Sequence, residues 1–188
     1  MGLEKIKSQD LADLFWYWRS LHKGTTFPLR KSLEPADISP KLLPGIYIVA
    51  VEHDPLQFRF TLTGTQSQKL VNKEVKGDYI SAETMGPNFQ DAYDSFSNVI
   101  ETRGPVWGRA RFAGVLINGE DLVIEAMFLP LSQTGEQIDY ILGANALEVP
   151  DNYNHLIEAG FVLSKRWQLE LEPTVVDGTT VMPVSRVF

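Results

Sequence analysis

The chain has 188 residues, of which 44% are hydrophobic and 11% aromatic. This length and composition suit one domain with appendages and a substantial core. The formal net charge of −7 argues against a nucleic-acid or anionic-membrane surface, because both require a basic field. Cysteine is absent, which excludes disulfides, thiolate metal sites, cysteine nucleophiles and chromophores linked through cysteine.

No segment reaches the ~18 consecutive apolar residues of a membrane span, and the N-terminal segment lacks the apolar run of a signal peptide. Ile6 also occupies the position where the myristoylation pattern requires Ser or Thr. We therefore expect a soluble, cytoplasmic protein that binds neither nucleic acid nor membrane.

The first predicted element is an amphipathic helix over residues 9–23. Apolar side chains recur there at helical spacing, and Gly24 follows as a C-terminal stop. Trp16 and Tyr17 widen the apolar surface beyond one stripe, so we expect the helix to pack on its own domain or on a second copy. Its aromatic face favours a homodimer formed through residues 9–23.

Two strands, residues 46–52 and 57–63, are predicted to form a hairpin across a short turn. The second strand alternates regularly between apolar and polar residues, so one of its faces should be buried. The residues predicted to point to the core are Phe58, Phe60 and Leu62.

A short helix over residues 65–71 and a longer one from Asn88 to about Arg103 are predicted next. Asn88 is the expected N-cap, and Asp91 three residues later partly imitates a capping box. The predicted buried stripe of the longer helix comprises Phe89, Tyr93, Phe96 and Ile100.

A long hairpin over residues 105–131 is the strongest prediction in the chain. Asn118-Gly119 between two apolar runs is a strong hairpin signal, because both residues tolerate the backbone of a primed turn. The second strand of this hairpin is apolar on both sides, which predicts a central strand covered on both faces. Pairing is expected to weaken at Pro130, which lacks an N–H. A fifth strand is predicted at residues 138–144.

The order β-β-α-α-β-β-β predicts an α+β fold, with a five-stranded antiparallel sheet and helices packed on one face. We divide the chain into an N-terminal helix and proline-punctuated loop (1–45), a core (46–147) and a C-terminal extension (148–188). Weak alternation and broken β-branched runs in the extension favour a strand pair or an arm that reaches a partner.

An ordered series of short motifs carries a resemblance to a known family. The motifs are Tyr17-Trp18-Arg19-Ser20-Leu21, Pro28-Leu29-Arg30, Pro35-Ala36-Asp37-Ile38, Leu42-Leu43-Pro44, Phe58-Arg59-Phe60 before Gly64-Thr65, Gly77, Pro105-Val106 and Leu129-Pro130-Leu131-Ser132. Over residues 10–147 the sequence resembles the PAS domains, and more closely a bacterial PAS-like subfamily of small stand-alone proteins. The resemblance implies a five-stranded sheet that cradles short helices around a small cavity. It also implies a sensory module that binds a small ligand or a protein partner and is usually not an enzyme.

The residues permit few cofactors. Without cysteine, the flavin–cysteine adducts and the cysteine-linked chromophores of light-sensing PAS domains are excluded. A haem would need an axial ligand such as His22, His53 or His155, each of which is more simply a partly exposed histidine. No histidine cluster indicates zinc, and the motifs of hydrolases, P-loops and dinucleotide sites are missing. The sequence therefore names no cofactor and no metal.

Four polar side chains occupy predicted strands where a pocket could use them: Arg59, Arg109, Arg111 and Glu125. One interpretation is a cross-strand ion pair on the outer face of the sheet, since charges in sheets pair with their neighbours. The other is an anchor for an anionic ligand, since arginine binds carboxylate or phosphate through two hydrogen bonds.

The leading hypothesis is a PAS-like signal-sensing or protein-interaction module without catalytic activity, which binds a small apolar or amphipathic ligand or docks to a signalling protein. The residues predicted to line the ligand site are Phe60, Tyr93, Trp107, Arg109, Phe112, Glu125, Met127 and Tyr140. The alternative is a small enzyme on a cavity-bearing α+β scaffold, with Glu125 as acid or base in an apolar pocket.

Overall fold

An antiparallel sheet of six strands, in the order β2-β1-β5-β4-β3-β6, organises the fold. The computed structural model describes residues 6–71, 73–112 and 122–148, together with three short strands of the C-terminal extension. The strands are β1 (Ile46–His53), β2 (Leu56–Thr63), β3 (Val106–Phe112), β4 (Leu122–Leu131), β5 (Tyr140–Glu148), β6 (Gln168–Glu170), β7 (Thr174–Val176) and β8 (Thr179–Val181). The five strands of the predicted sheet are present, and β6 extends it at the β3 edge.

Helices cover both faces of this sheet in the described part of the chain. They are α1 (Gln9–Ser20), α2 (Thr65–Val71), α3 (Ala82–Met85) and α4 (Phe89–Thr102). Short 3-10 turns occupy Arg30–Ser32, Pro35–Asp37, Leu43–Gly45 and Gly86–Asn88. The sequence predicts α1, α2 and α4 to within three residues, but it misses α3, because four residues are too few to show helical periodicity.

Asn88 stands directly before α4 but does not cap the helix with its side chain. Its backbone angles, φ −93° and ψ 7°, continue the 3-10 turn, whereas a capping side chain needs an extended backbone to reach the helix N–H groups. The predicted side-chain cap by Asn88 is therefore wrong. Ser81 has an extended backbone before α3, and its hydroxyl accepts a hydrogen bond from the Thr84 N–H at 3.2 Å.

The strand β4 has an apolar core on each of its faces. Its residues Ala126 and Phe128 join an α4-side core, whose main members are Tyr47, Val49, Phe58, Phe60, Phe96, Val99, Phe128 and Ile141. Its residues Met127 and Leu129 join an α1-side core, whose main members are Leu11, Leu14, Phe15, Trp18, Trp107, Met127, Leu129 and Leu142. The predicted coverage of both faces of this central strand is confirmed.

Pro130 lies within β4 without ending it. The ladder with β5 continues through the pair Pro130–Ile141 to the pair Leu131–Tyr140, so the expected weakening does not occur on this side. On the other side, the pairing of β4 with β3 stops at Phe128. The missing N–H of the proline therefore leaves no ladder partner unsatisfied.

A β-bulge in β2 overturns the predicted orientation of Leu62. The pairing with β1 shifts at Thr61, since Val49 pairs with Phe60 whereas Ile48 pairs with Leu62. An extra residue in one strand moves every later side chain to the opposite face. Leu62 is consequently 41% exposed instead of buried on the side of Phe60.

The C-terminal extension contributes three short strands to the described residues. β6 pairs with β3, and β7 pairs with β8 in a separate two-stranded sheet. A strand pair in this region was predicted, whereas the addition of β6 to the sheet edge was not. The predicted turn at Asn118-Gly119 lies outside the described residues. Within the part of the chain that is described, no helix has the length and hydropathy to cross a membrane.

Candidate functional site

Aromatic rings fill the α4-side core between the sheet and α4. Phe96 packs against Phe58 and against Phe128, with ring centroids 5.3 Å apart in both pairs. The Tyr47 ring lies 6.2 Å from that of Phe60 and 6.3 Å from that of Phe96. Such edge-on and tilted contacts are favourable arrangements of aromatic rings. Small-molecule sites are lined mostly by apolar and aromatic side chains of this kind.

Tyr47 owes its position to Gly143, its partner across β1 and β5. A Cβ atom at residue 143 would overlap the tyrosine ring at Cε2 and Cζ, so glycine is the residue that lets the ring lie over the β5 backbone. The ring thereby stays within the α4-side core, where Tyr47 is only 7% exposed.

Two phenol groups bring polarity to this apolar region. The Tyr93 hydroxyl donates a hydrogen bond to the Leu56 carbonyl at 3.1 Å. Burial raises the pKa of Tyr47 above its ordinary value, and no hydrogen bond with a described residue offsets that effect. The Tyr47 phenol thus adds a polar group to an otherwise apolar core.

On the opposite face of the sheet, Glu125 is a fully buried carboxylate, with 0% of its surface exposed. It accepts hydrogen bonds from the backbone N–H groups of Ser8 (2.7 Å) and Lys7 (3.0 Å), immediately before α1. Arg109, its partner across β3 and β4, lies 3.8 Å away from Nε to Oε1. The cross-strand pair is present, but α1 covers it, so it does not lie on an open outer face.

The eight residues predicted to line a ligand site do not form one pocket. Two of them, Phe60 and Tyr93, belong to the α4 side. Those that lie on the α1 side are Trp107, Arg109, Glu125, Met127 and Tyr140. Phe112 ends β3, and its side chain is outside the described part of the structure. Strand alternation explains the division, because odd positions of β3 and β4 face α1 while α2 to α4 pack on the other face.

Two of the three histidines considered as haem ligands, His22 and His53, contact other groups of the protein. The His22 ring stacks edge-on against Trp18 with 4.7 Å between centroids, and burial lowers the pKa of His22. His53 Nε2 lies 2.9 Å from the Ile138 carbonyl oxygen. His155 lies outside the described residues.

Arg59 belongs to a surface group on β1 and β2. Its Nε lies 3.3 Å from Oε1 of Glu52, and the Tyr79 hydroxyl donates to the same oxygen at 3.0 Å. This matches the ion-pair interpretation of the arginine rather than the ligand anchor. The side chain of Arg111 lies outside the described part. Among the described residues, no group of three or more His, Asp or Glu could hold a metal ion.

Sequence reasoning missed Tyr47 as a candidate site residue. One signal was available, because Tyr47 alternates with Val49 and Val51 in β1 and thus shares their face. The pairing with Gly143 could not be read in the same way, because it depends on the register between two strands that are distant in sequence.

Comparison with known proteins places this geometry in a family. A sequence model described as PAS domain matches residues 6–146. No curated protein is significantly similar to the chain. The sequence model therefore provides the evidence for the family.

Solved structures show weaker likenesses. The LOV protein of Rhodobacter sphaeroides is 14% identical, with a TM-score of 0.39 over 61% of this chain and 65% of that chain. The VqmA protein of Vibrio cholera, in a complex with ligand and DNA, is 15% identical, with a TM-score of 0.43 over 70% of this chain and 59% of that chain. The PAS domain of a Colwellia psychrerythraea protein is 18% identical, with a TM-score of 0.35 over 54% of this chain and 85% of that chain. The chain thus spans less than two thirds of the first two proteins.

Proposed function

The chain belongs to the PAS domain family, and we propose that it is a signal-sensing module whose small-molecule site lies in the α4-side core. Proteins of this family are typically sensory and non-catalytic. The ligand class that fits is a small apolar or amphipathic molecule, because the lining is aromatic with few polar groups.

The Tyr47 hydroxyl is the observation that carries this proposal. It is a buried phenol in an apolar core, and no described residue forms a hydrogen bond that offsets the effect of burial on its pKa. A ligand with one hydrogen-bonding group could bind this hydroxyl while its apolar part packs against the aromatic rings. Of the sequence-predicted residues, Phe60 and Tyr93 stay in the proposed site.

A catalytic role for Glu125 receives no support from its surroundings. The carboxylate is fully buried and is engaged by the N–H groups of Ser8 and Lys7. A general acid or base must come within hydrogen-bond reach of its substrate, and here both close contacts are made by the protein itself. We therefore propose that the chain has no catalytic activity of its own.

The partners that we propose are a second copy of the chain and a signalling protein. Trp16 supports the homodimer through residues 9–23, because it is 46% exposed on α1. Residues 46–147 would form the sensing core, with residues 1–45 and 148–188 as its flanking segments. We also propose a cytoplasmic location, as expected from the sequence.

The ligand is tested by native mass spectrometry of the purified protein, compared with the same sample after denaturation. We expect a non-covalent adduct that disappears on denaturation. Tyr47→Phe keeps the ring but removes the hydroxyl, so its affinity for the bound molecule should be roughly tenfold lower. Tyr140→Phe is the matched control on the α1 side and should retain the adduct fully. Equal retention by Tyr47→Phe and wild type would contradict a site at Tyr47.

A further inference from the structure

The helix α1 is joined to β4 at two points. At its N-terminal end, the N–H groups of Ser8 and Lys7 donate to the Glu125 carboxylate at 2.7 and 3.0 Å. Ten residues later, the Trp18 indole N–H donates to the Pro130 carbonyl at 2.8 Å in a buried contact. Both acceptors belong to the same central strand.

The spacing of these two points matches between helix and strand. Ten helical residues from Ser8 to Trp18 rise ~15 Å at 1.5 Å per residue. Five strand residues from Glu125 to Pro130 rise ~17 Å at about 3.3 Å per residue. α1 therefore runs along β4 in the same direction, and one docked position satisfies both contacts. A shift by one helical turn, about 5 Å, would break both of them.

The N-terminal contact has the form of a capping box shared between two elements. The Ser8 hydroxyl accepts from the Leu11 N–H at 3.3 Å, as an N-cap residue does. In a local capping box, a Glu or Gln at the third helical position accepts from the N-cap N–H. Here that position holds Leu11, which packs in the α1-side core. Glu125 of β4 accepts from the Ser8 N–H in its place.

The buried carboxylate of Glu125 depends on α1 for part of its hydrogen bonding. Arg109 Nε lies 3.8 Å from Glu125 Oε1, and the segment before α1 donates two hydrogen bonds to the same carboxylate, at 2.7 and 3.0 Å. A buried carboxylate needs such partners, and buried ionic contacts are better at specifying one arrangement than at adding stability. If α1 leaves, Glu125 loses both donors and its cover at the same time, and water can replace them.

We propose that Glu125 is a latch that fixes α1 onto β4, and that opening this latch releases α1 as a single unit. The release uncovers the apolar side of β4 and β5, including Met127, Leu129 and Leu142, and leaves the α4-side core in place. The latch goes beyond the proposed sensory function and does not depend on a ligand at Tyr47, because it lies on the other face of the sheet.

Hydrogen–deuterium exchange of the full chain, read by mass spectrometry, tests the latch. Glu125→Gln keeps the size of the side chain but removes its charge and presents an amide N–H to one of the two donors. Amides of residues 12–20 should then exchange about 10- to 100-fold faster, since hydrogen bonds to charged groups carry that much free energy. Residues 89–102 in α4 should keep their protection.

Glu52→Gln is the matched control, because Glu52 is a partly exposed glutamate that contacts Arg59 and Tyr79 instead of α1. It should leave the exchange of residues 12–20 unchanged. Unchanged exchange of these residues in Glu125→Gln would overturn the proposal, and so would an equal acceleration in α4, which would show a global loss of stability.

Trp18→Phe, at the C-terminal end of α1, tests whether the helix is released as one unit. The variant loses the hydrogen bond to Pro130 but keeps an aromatic ring in the α1-side core. We expect faster exchange at Ala12, in the first turn of the helix, as well as at the residues around position 18. Acceleration confined to the last turn would contradict release as a single unit.

Discussion

At the scale of single residues, the pair Tyr47–Gly143 fixes where the phenol lies in the proposed site. The ring occupies the space where any other residue at position 143 would place its Cβ, and strand β1 holds the tyrosine opposite that space. A glycine within a strand is costly in conformational entropy and often marks a close approach of another group. Here that group is the ring of the residue whose hydroxyl we assign to the ligand.

Gly143→Ala should destabilise the protein by about 2 kcal/mol, because the added methyl group would overlap the Tyr47 ring at Cε2 and Cζ. For a domain of this size the melting temperature should fall by about 4–8 °C, as measured by circular dichroism. In a Tyr47→Ala background the same substitution should change the melting temperature little, because the ring is absent. An equal cost in both backgrounds would show that Tyr47 is not the obstacle.

At the scale of elements, α1 presents its tryptophans in opposite directions. Trp18 is 2% exposed, packs in the α1-side core and donates to Pro130, whereas Trp16 is 46% exposed. The helix that the sequence marked as too apolar to stand alone thus packs on its own domain. Of its two tryptophans, Trp16 is the one that could contact a second copy.

The proposed homodimer is tested by Trp16→Glu in light scattering. We expect the molar mass to fall to that of one chain, because a charge would replace the exposed ring at the interface. Leu62→Glu, which alters an apolar residue of similar exposure on β2, should leave the dimer intact. A wild-type protein that is already monomeric, or an unchanged mass in Trp16→Glu, would refute this interface. Trp18→Glu is unsuitable as a test, because it would place a charge in the core.

At the scale of the whole molecule, one sheet separates two cores, and the N-terminal segment is required for one of them. The α1-side core takes residues from α1 and from the loop before β1, including Leu33, Ile38 and Leu42. The members of both cores in the described part of the chain lie between Ile6 and Ala146. The extension adds three residues of pairing at the edge of β3.

Two fragments test this division of the chain. Residues 1–150 should unfold cooperatively by circular dichroism and keep near-ultraviolet signals from packed aromatic rings, because this fragment contains every described member of both cores. Residues 46–188 should aggregate or lose those signals, because the sheet face that carries Met127 and Leu142 would be uncovered. The opposite result, with the second fragment folded and the first unfolded, would show that the extension completes the fold.

The sequence by itself determined most of the elements and most of their faces. Hydrophobic period distinguished helices from strands, and the two apolar sides of β4 predicted a strand buried on both faces. It also determined the family, since an ordered series of motifs can be recognised without knowledge of any contact. Only the tertiary structure decided which predicted site residues share a face. Three features depend on the register between segments that are distant in sequence. They are the bulge at Thr61, the pairing of Tyr47 with Gly143 and the hydrogen bond from Ser8 to Glu125. Local periodicity does not encode such register, because it is set by the packing of the whole sheet.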